Sequence, residues 1–172
     1  MRPLLTALVL ALVAAPAAGA LHEGARAPNF VTMGAVAGKP FKLNLAEQLS
    51  HGPVVLYFYP KAFTKGCTLE AHAFSEAIPE FTKAGARVIG MSADNLETLK
   101  RFSVEECRNA FPVATADKKV IKAYDVAIPV VGLTNRTSYV IAQDGRIVMV
   151  HSEMDWKDHV TKSLAAVKAL KR

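Results

Sequence analysis

Cysteine is nearly absent from this chain. Its 172 residues hold two, Cys67 and Cys107, and Cys67 stands in Gly66-Cys67-Thr68-Leu69-Glu70, so no Cys-x-x-Cys pair exists. That counts against a disulfide-exchange protein of the usual kind. Two cysteines without ligand-like spacing also argue against a metal chaperone, even one that borrowed a histidine such as His151. Arg-rich helices and interleaved basic and aromatic residues are missing too. The net charge of +6 therefore describes a mildly basic surface, not a nucleic-acid footprint. Internal repeats and low-complexity linkers are lacking, and no metal or other cofactor is expected.

Long apolar runs are missing except at the start. Arg2, the apolar stretch from Leu4 to Ala15 and the small residues Ala18-Gly19-Ala20 have the order of a secretory signal. The run is too short and Ala-rich for a convincing membrane span, although a retained anchor is the alternative. It contains no Arg-Arg pair and lacks the Ser and Arg of a transit peptide. The expectation is a cleaved signal over 1–20, export to a bacterial periplasm, and one domain over 21–172 with no stable membrane association.

Two periodicities alternate along that domain. Val54 to Tyr59 is a continuous apolar run, as in a buried central strand, and Arg87 to Ser92 is a second. Phe41-Lys42-Leu43 alternates like an edge strand, after an irregular lead-in with one short strand. A helix is predicted from Cys67 through Leu69, Phe74 and Ile78, kinked or ended by Pro79. Another is predicted over Leu96 to Cys107, with Leu99, Phe102 and Val104 apolar. A short strand at Phe111 to Ala114 and a short helix at Val120 to Tyr124 follow. Asp144-Gly145 joins strands Thr137 to Ile141 and Ile147 to Val150 as a hairpin. A last helix, Lys157 to Leu170, carries Val160, Leu164, Val167 and Leu170 on one face. These elements predict an α/β sandwich with a mixed sheet, which fits a thioredoxin-like fold.

Cys67 is the most informative residue. It follows a strand and a tight loop, Pro60 to Gly66, and opens a helix. Unpartnered backbone N–H groups and the positive end of the helix dipole favour a thiolate there. Thr64 can aim a hydroxyl at the same spot. A permanent Cys67–Cys107 bridge is the competing account. It would contribute about 4 kcal/mol and make the chain a non-catalytic, disulfide-stapled module.

Pro60, Thr64 and Cys67 together match the Pro-x-x-x-Thr-x-x-Cys pattern of peroxiredoxins. The wider string FYPKAFTKGCTLE resembles the bacterioferritin-comigratory-protein (PrxQ-type) subgroup. The resemblance continues through GARVIGMSAD, FPVATAD, Arg136 to Ile141 and the Asp144-Gly145 turn. It implies a thioredoxin-like fold and a thiol-dependent peroxidase that reduces hydrogen peroxide and organic hydroperoxides. Cys67 would be the nucleophile and pass through sulfenic acid. Thr64 would hydrogen-bond sulfur and peroxide, and Pro60 would cover the pocket. Arg136 would hold the thiolate, with Glu70, one turn after Cys67, orienting it. A dithiol reductant such as thioredoxin would recycle the enzyme, which would work as a monomer.

Three departures from the pattern matter. Lys65 replaces the usual proline at the helix start and is read as an exposed side chain. His72 stands where many relatives carry a resolving cysteine. Five helical residues turn about 500°, so it should point away from Cys67 as a surface or helix-packing histidine, not a base or metal ligand. Cys107 then becomes the candidate resolving cysteine, reached by local unwinding, with a buried thiol in a one-cysteine enzyme as the alternative. Asn135-Arg136-Thr137 is a formal glycosylation sequon, read as incidental.

Overall fold

Strand and helix boundaries in the computed structural model follow the change of period in the sequence. The structure describes residues 20–170, so of the predicted signal only Ala20 falls within it. Among the described residues no helix is long and apolar enough to cross a membrane.

The strands are β1 (Val31–Val36), β2 (Lys39–Asn44), β3 (Val54–Phe58), β4 (Arg87–Ser92), β5 (Val113–Thr115), β6 (Thr137–Ile141) and β7 (Ile147–Ser152). They form one seven-stranded sheet in the order β2-β1-β5-β4-β3-β6-β7. β3–β4 and β4–β5 pair in parallel and the remaining neighbours antiparallel, so the sheet is mixed, as predicted. The helices are α1 (Leu45–Ser50), α2 (Lys65–Lys83), α3 (Leu96–Glu105), α4 (Lys118–Ala123) and α5 (Lys157–Ala169).

Every residue of β3 is buried because both faces of the sheet are covered. Val54, Leu56 and Phe58 enter a core shared with α1 and α4. Val55 and Tyr57, with Tyr59 just beyond the strand, enter a second core shared with α2, α3 and α5. Period-two alternation thus sends adjacent residues of one strand into two cores. Tyr57 stacks on Phe74 with ring centroids 4.3 Å apart, and Gly90 on β4 leaves room for its ring. Both cysteines belong to the second core. This is the thioredoxin-like sandwich the sequence predicts.

Four expectations need correction. α2 does not end at Pro79; it continues to Lys83 with that proline inside it. α3 stops at Glu105, so Cys107 lies beyond the helix, and Arg108 and Asn109 follow in left-handed backbone at φ 51° and 61°. The inward face of α5 is His159, Ser163 and Val167. Val160 and Leu164 sit at its margin, and Leu170 is exposed. α1 has no counterpart in the sequence reading; it is one short turn-and-a-half capped by Asn44.

Candidate active site

Cys67, Glu70, Ala71 and Phe74 are the buried residues of the first turns of α2. Their spacing of three, four and seven is one helical face, and it turns sulfur and carboxylate to the same side. Leu69, one of the apolar residues that marked the helix in the sequence, is exposed because it falls between these positions.

The loop before α2 is held by specific contacts. Ala62 donates its backbone N–H to Asp94 Oδ2 at 2.8 Å. Phe63 takes left-handed backbone, φ 64°, which costs a bulky residue on the order of 1 kcal/mol or more. Its ring meets Phe102 edge-on at 5.2 Å, and the Arg101 guanidinium lies 5.2 Å from its centroid. Both contacts fasten that conformation to α3. Pro60 is half-buried at the start of this loop. Thr64 is the N-cap residue of α2, yet its hydroxyl oxygen accepts from no helix amide, and the hydroxyl donates to Lys61 O at 3.0 Å. The predicted hydroxyl-to-sulfur bond is therefore not made in this state. Lys65 is exposed, as expected.

Arg136 stands one residue before β6, the strand that pairs with β3 and places Thr137 opposite Phe58. Thr134 Oγ1 donates to Tyr59 O at 2.6 Å and ties that segment to the end of β3. The guanidinium is buried and engaged through each of its three nitrogens: Nε donates to Met154 O at 3.0 Å, Nη1 to Glu70 Oε2, and Nη2 approaches Cys67 Sγ at 3.5 Å. Its planar fork spreads three donor nitrogens toward three separate acceptors at once. A Cβ built on Gly66 would lie 3.2 Å from Nη2, so glycine there gives Arg136 its approach to the sulfur. The Arg136–Glu70 and Arg136–Cys67 contacts are those the family resemblance implies.

Burial pushes the Glu70 carboxyl from 4.5 up to about 8, and the Arg136 charge and hydrogen bond pull against it. Among the described residues its second oxygen, Oε1, has no hydrogen-bond partner, and it lies 3.8 Å from His159 Nδ1.

Both cysteines are free thiols. A permanent bridge, the alternative considered above, is thus not formed. Cys107 is buried, and burial, with Glu106 adding to it, pushes its thiol well above the ordinary range. His72 turns away from the sulfur, as helical geometry requires, and meets Glu106 at 2.8 Å.

Sequence reasoning overlooked the residues that reach the site from β6 to α5: Ser138, the Met154 carbonyl, Trp156 and His159. The available signal was a lone tryptophan followed by a histidine on a helix whose apolar stripe is imperfect.

The match to known proteins agrees with this geometry. Residues 24–150 fit the AhpC/TSA family. Peroxiredoxin Bcp of Xanthomonas campestris is 34% identical, over 67% of this chain and 76% of its own length. The chloroplastic peroxiredoxin Q of Sedum lineare is 32% identical, over 87% of this chain and 79% of its own. The crystal structure of peroxidoxin BcpB from Mycobacterium tuberculosis superposes with a TM-score of 0.76 at 33% identity, covering 87% of this chain and 98% of that one. With a cysteine, an arginine and a carboxylate joined at the mouth of α2, the chain belongs to the AhpC/TSA family and, within it, to the peroxiredoxins of the Bcp and Q type, which are thiol-dependent peroxidases.

Proposed function

We propose that Cys67 is the peroxidatic nucleophile of this enzyme and that Arg136, Glu70, Thr64 and Pro60 serve it. The observation that carries this reading is the 3.5 Å approach of Arg136 Nη2 to Cys67 Sγ while Nη1 holds Glu70. A guanidinium fixed beside sulfur is placed to meet negative charge that leaves the sulfur and appears on oxygen.

The thiolate of Cys67 attacks the terminal peroxide oxygen. The S–O bond forms, the O–O bond breaks, sulfur loses two electrons, and the peroxide proton stays on the new sulfenic acid. The expelled hydroxide or alkoxide takes one proton and leaves as water or alcohol. Arg136 stabilises that leaving oxygen. Thr64 has spent its own proton on Lys61 O, so its lone pairs can accept from the peroxide O–H. Pro60, half-buried where the loop begins, narrows the solvent path.

Recycling runs through Cys107. Its thiol condenses with the sulfenic acid, releases water and leaves a disulfide, which a dithiol reductant of the thioredoxin kind then reduces. Because Cys107 is buried, the step requires local opening of α2 and of the turn beyond α3. The same burial favours a second reading, a one-cysteine cycle in which an external thiol resolves Cys67. Export to a bacterial periplasm is supported by the leader-like order of residues 1–20, and a monomer by the resemblance to Q-type relatives.

Stopped-flow mixing of the reduced chain with stoichiometric hydrogen peroxide tests the main claim: Cys67 should be consumed far faster than free cysteine, and equal rates would refute it. Intact mass after one equivalent separates the two cycles. A loss of two daltons that disappears in Cys107→Ser supports the internal disulfide, and a gain of sixteen in the unaltered chain supports the one-cysteine cycle.

A further inference from the structure

The lead-in, residues 20–27, makes contacts that the peroxide chemistry leaves unexplained. Ala20, Leu21, Ala25 and Ala27 lie half-buried against the first core. Gly24 N donates to Ile147 O at 2.8 Å, Ile147 N to Ala25 O at 2.9 Å and Ala27 N to Gly145 O at 2.9 Å. Arg26 pairs with Arg146 in an antiparallel bridge. β7 is the last strand of the sheet, so these bonds cover part of an edge that would otherwise offer free backbone groups to another chain. One further bond ties down the front of the segment: Leu21 N donates to Tyr139 Oη at 3.1 Å. Tyr139 lies on β6 and gives its own hydroxyl proton to Tyr124 O at 2.7 Å, which leaves its lone pairs to accept. Burial, and to a lesser degree the Asp125 carboxylate, pushes that phenol well above its ordinary range, so the acceptor is a neutral hydroxyl near pH 7.

We propose that the Ala20–Leu21 bond is a proteolytic processing site and that the Tyr139 hydroxyl receives the charged N-terminus its cleavage creates. The inference rests on residues 1–20 being an export leader, and not on the chemistry of Cys67. A leader-removing protease adds water across that bond: Ala20 leaves with a carboxylate, and the Leu21 nitrogen takes up protons to become an ammonium group. The small residues such a protease requires, Ala18 and Ala20, end at the bond beyond which the contact with Tyr139 begins. The nitrogen that gives Tyr139 Oη a neutral N–H in the uncleaved chain then gives it a charge-assisted one, roughly twice as strong. The Asp125 carboxylate, felt at the same hydroxyl, favours positive charge there. Proteases act on exposed, irregular backbone, and Ala20 and Leu21 are half-buried in the folded domain, so hydrolysis precedes docking. Processing thereby leaves the sheet with an anchored cover over β7.

The test begins with the full chain, expressed with its own leader in an exporting bacterium and recovered from the periplasm. Its intact mass should be that of residues 21–172. Cleavage at another bond would overturn the site and leave export standing, whereas an uncleaved chain would overturn both. The recovered chain is then compared with one that retains Ala20, in which Leu21 N is again an amide and the ammonium group stands one residue away. Native-state hydrogen exchange at the Gly24 and Ala27 amides should be about fivefold slower in the chain that begins at Leu21. In Tyr139→Phe, which removes the acceptor, the two forms should differ by less than about twofold. Equal exchange in the two unaltered forms, or a difference that survives Tyr139→Phe, would overturn the anchoring role.

Discussion

His72 on α2 and Glu106, the first residue beyond α3, meet at 2.8 Å between Nε2 and Oε2. The contact is one of three. Ser75 Oγ shares its one proton between Ala71 O at 2.7 Å and Cys107 O at 3.0 Å, and Arg108 Nη1 donates to Glu76 Oε1 at 3.2 Å. Residues 72, 75 and 76 form one face of α2, and they clasp three consecutive residues centred on Cys107. Where relatives carry a resolving cysteine on α2, this chain carries the histidine that fastens the turn containing its only other thiol.

Loosening that clasp should expose Cys107. Partly exposed pairs of this sort are worth about 0.5–1 kcal/mol each, so His72→Ala should raise the open population roughly two- to fivefold. Native-state alkylation of Cys107, followed by mass spectrometry in a Cys67→Ser background, reads this directly. Peroxide oxidation of Cys67 in the otherwise unaltered chain should be unchanged. A labelling rate insensitive to His72→Ala would remove the clasp from consideration.

Arg136→Lys keeps the charge and loses the fork. A lysine ammonium cannot reach the Met154 carbonyl, Glu70 Oε2 and Cys67 Sγ together, as Arg136 does. The rate of Cys67 oxidation should fall by about a hundredfold, the scale set by losing one preorganised donor to a developing anion. Stopped-flow fluorescence checks it. A loss below about threefold would mean that charge alone suffices.

Much of this site could be read from the chain because its first part is local. Cys67, Thr64, Pro60 and Glu70 lie within one strand–loop–helix unit, where spacing alone sets the face. Arg136 came from a resemblance, since no periodicity places a residue before β6 beside the start of α2. The contribution of α5 could not be read in that way. Its stripe predicts Val160, Leu164, Val167 and Leu170 inward, yet the buried positions are His159, Ser163 and Val167, because α5 packs over a polar site as well as a core. Pro79 misled for a related reason. Proline disfavours a helix interior by a few kcal/mol, and here packing of Phe74 and Phe81 on either side of it into the second core carries α2 through.

Gly66→Ala sets helix propensity against the site. Alanine favours the first turn of α2 by up to about 1 kcal/mol over glycine, so thermal stability should hold or rise slightly. The new methyl would stand 3.2 Å from Arg136 Nη2, and Arg136 cannot yield without leaving Glu70 or the Met154 carbonyl. Peroxide oxidation should slow by about three- to tenfold while the melting temperature does not fall. A variant as fast as the unaltered chain would show that the guanidinium has slack.

The buried pair Glu70 and His159 should shape stability against pH in a way that separates them. Stability falls with rising pH wherever the folded chain holds more protons than the unfolded one, and rises where it holds fewer. Burial raises Glu70 from 4.5 to about 8, so between these values the folded state keeps a proton that the unfolded state has lost, and stability falls. Burial lowers His159 from 6.5 to about 4, so across that range the unfolded state holds the extra proton, and stability rises. The two slopes oppose each other between 4.5 and 6.5, leaving a plateau. Above 6.5 Glu70 acts alone and should cost about 2 kcal/mol by pH 8, at 1.36 kcal/mol per unit. Urea midpoints measured across this range should show the decline in the unaltered chain and none in Glu70→Gln. In His159→Asn the decline should begin near 4.5, because the opposing slope is gone. Superimposable curves for the unaltered chain and Glu70→Gln would mean that Glu70 is ionised beside Arg136 throughout.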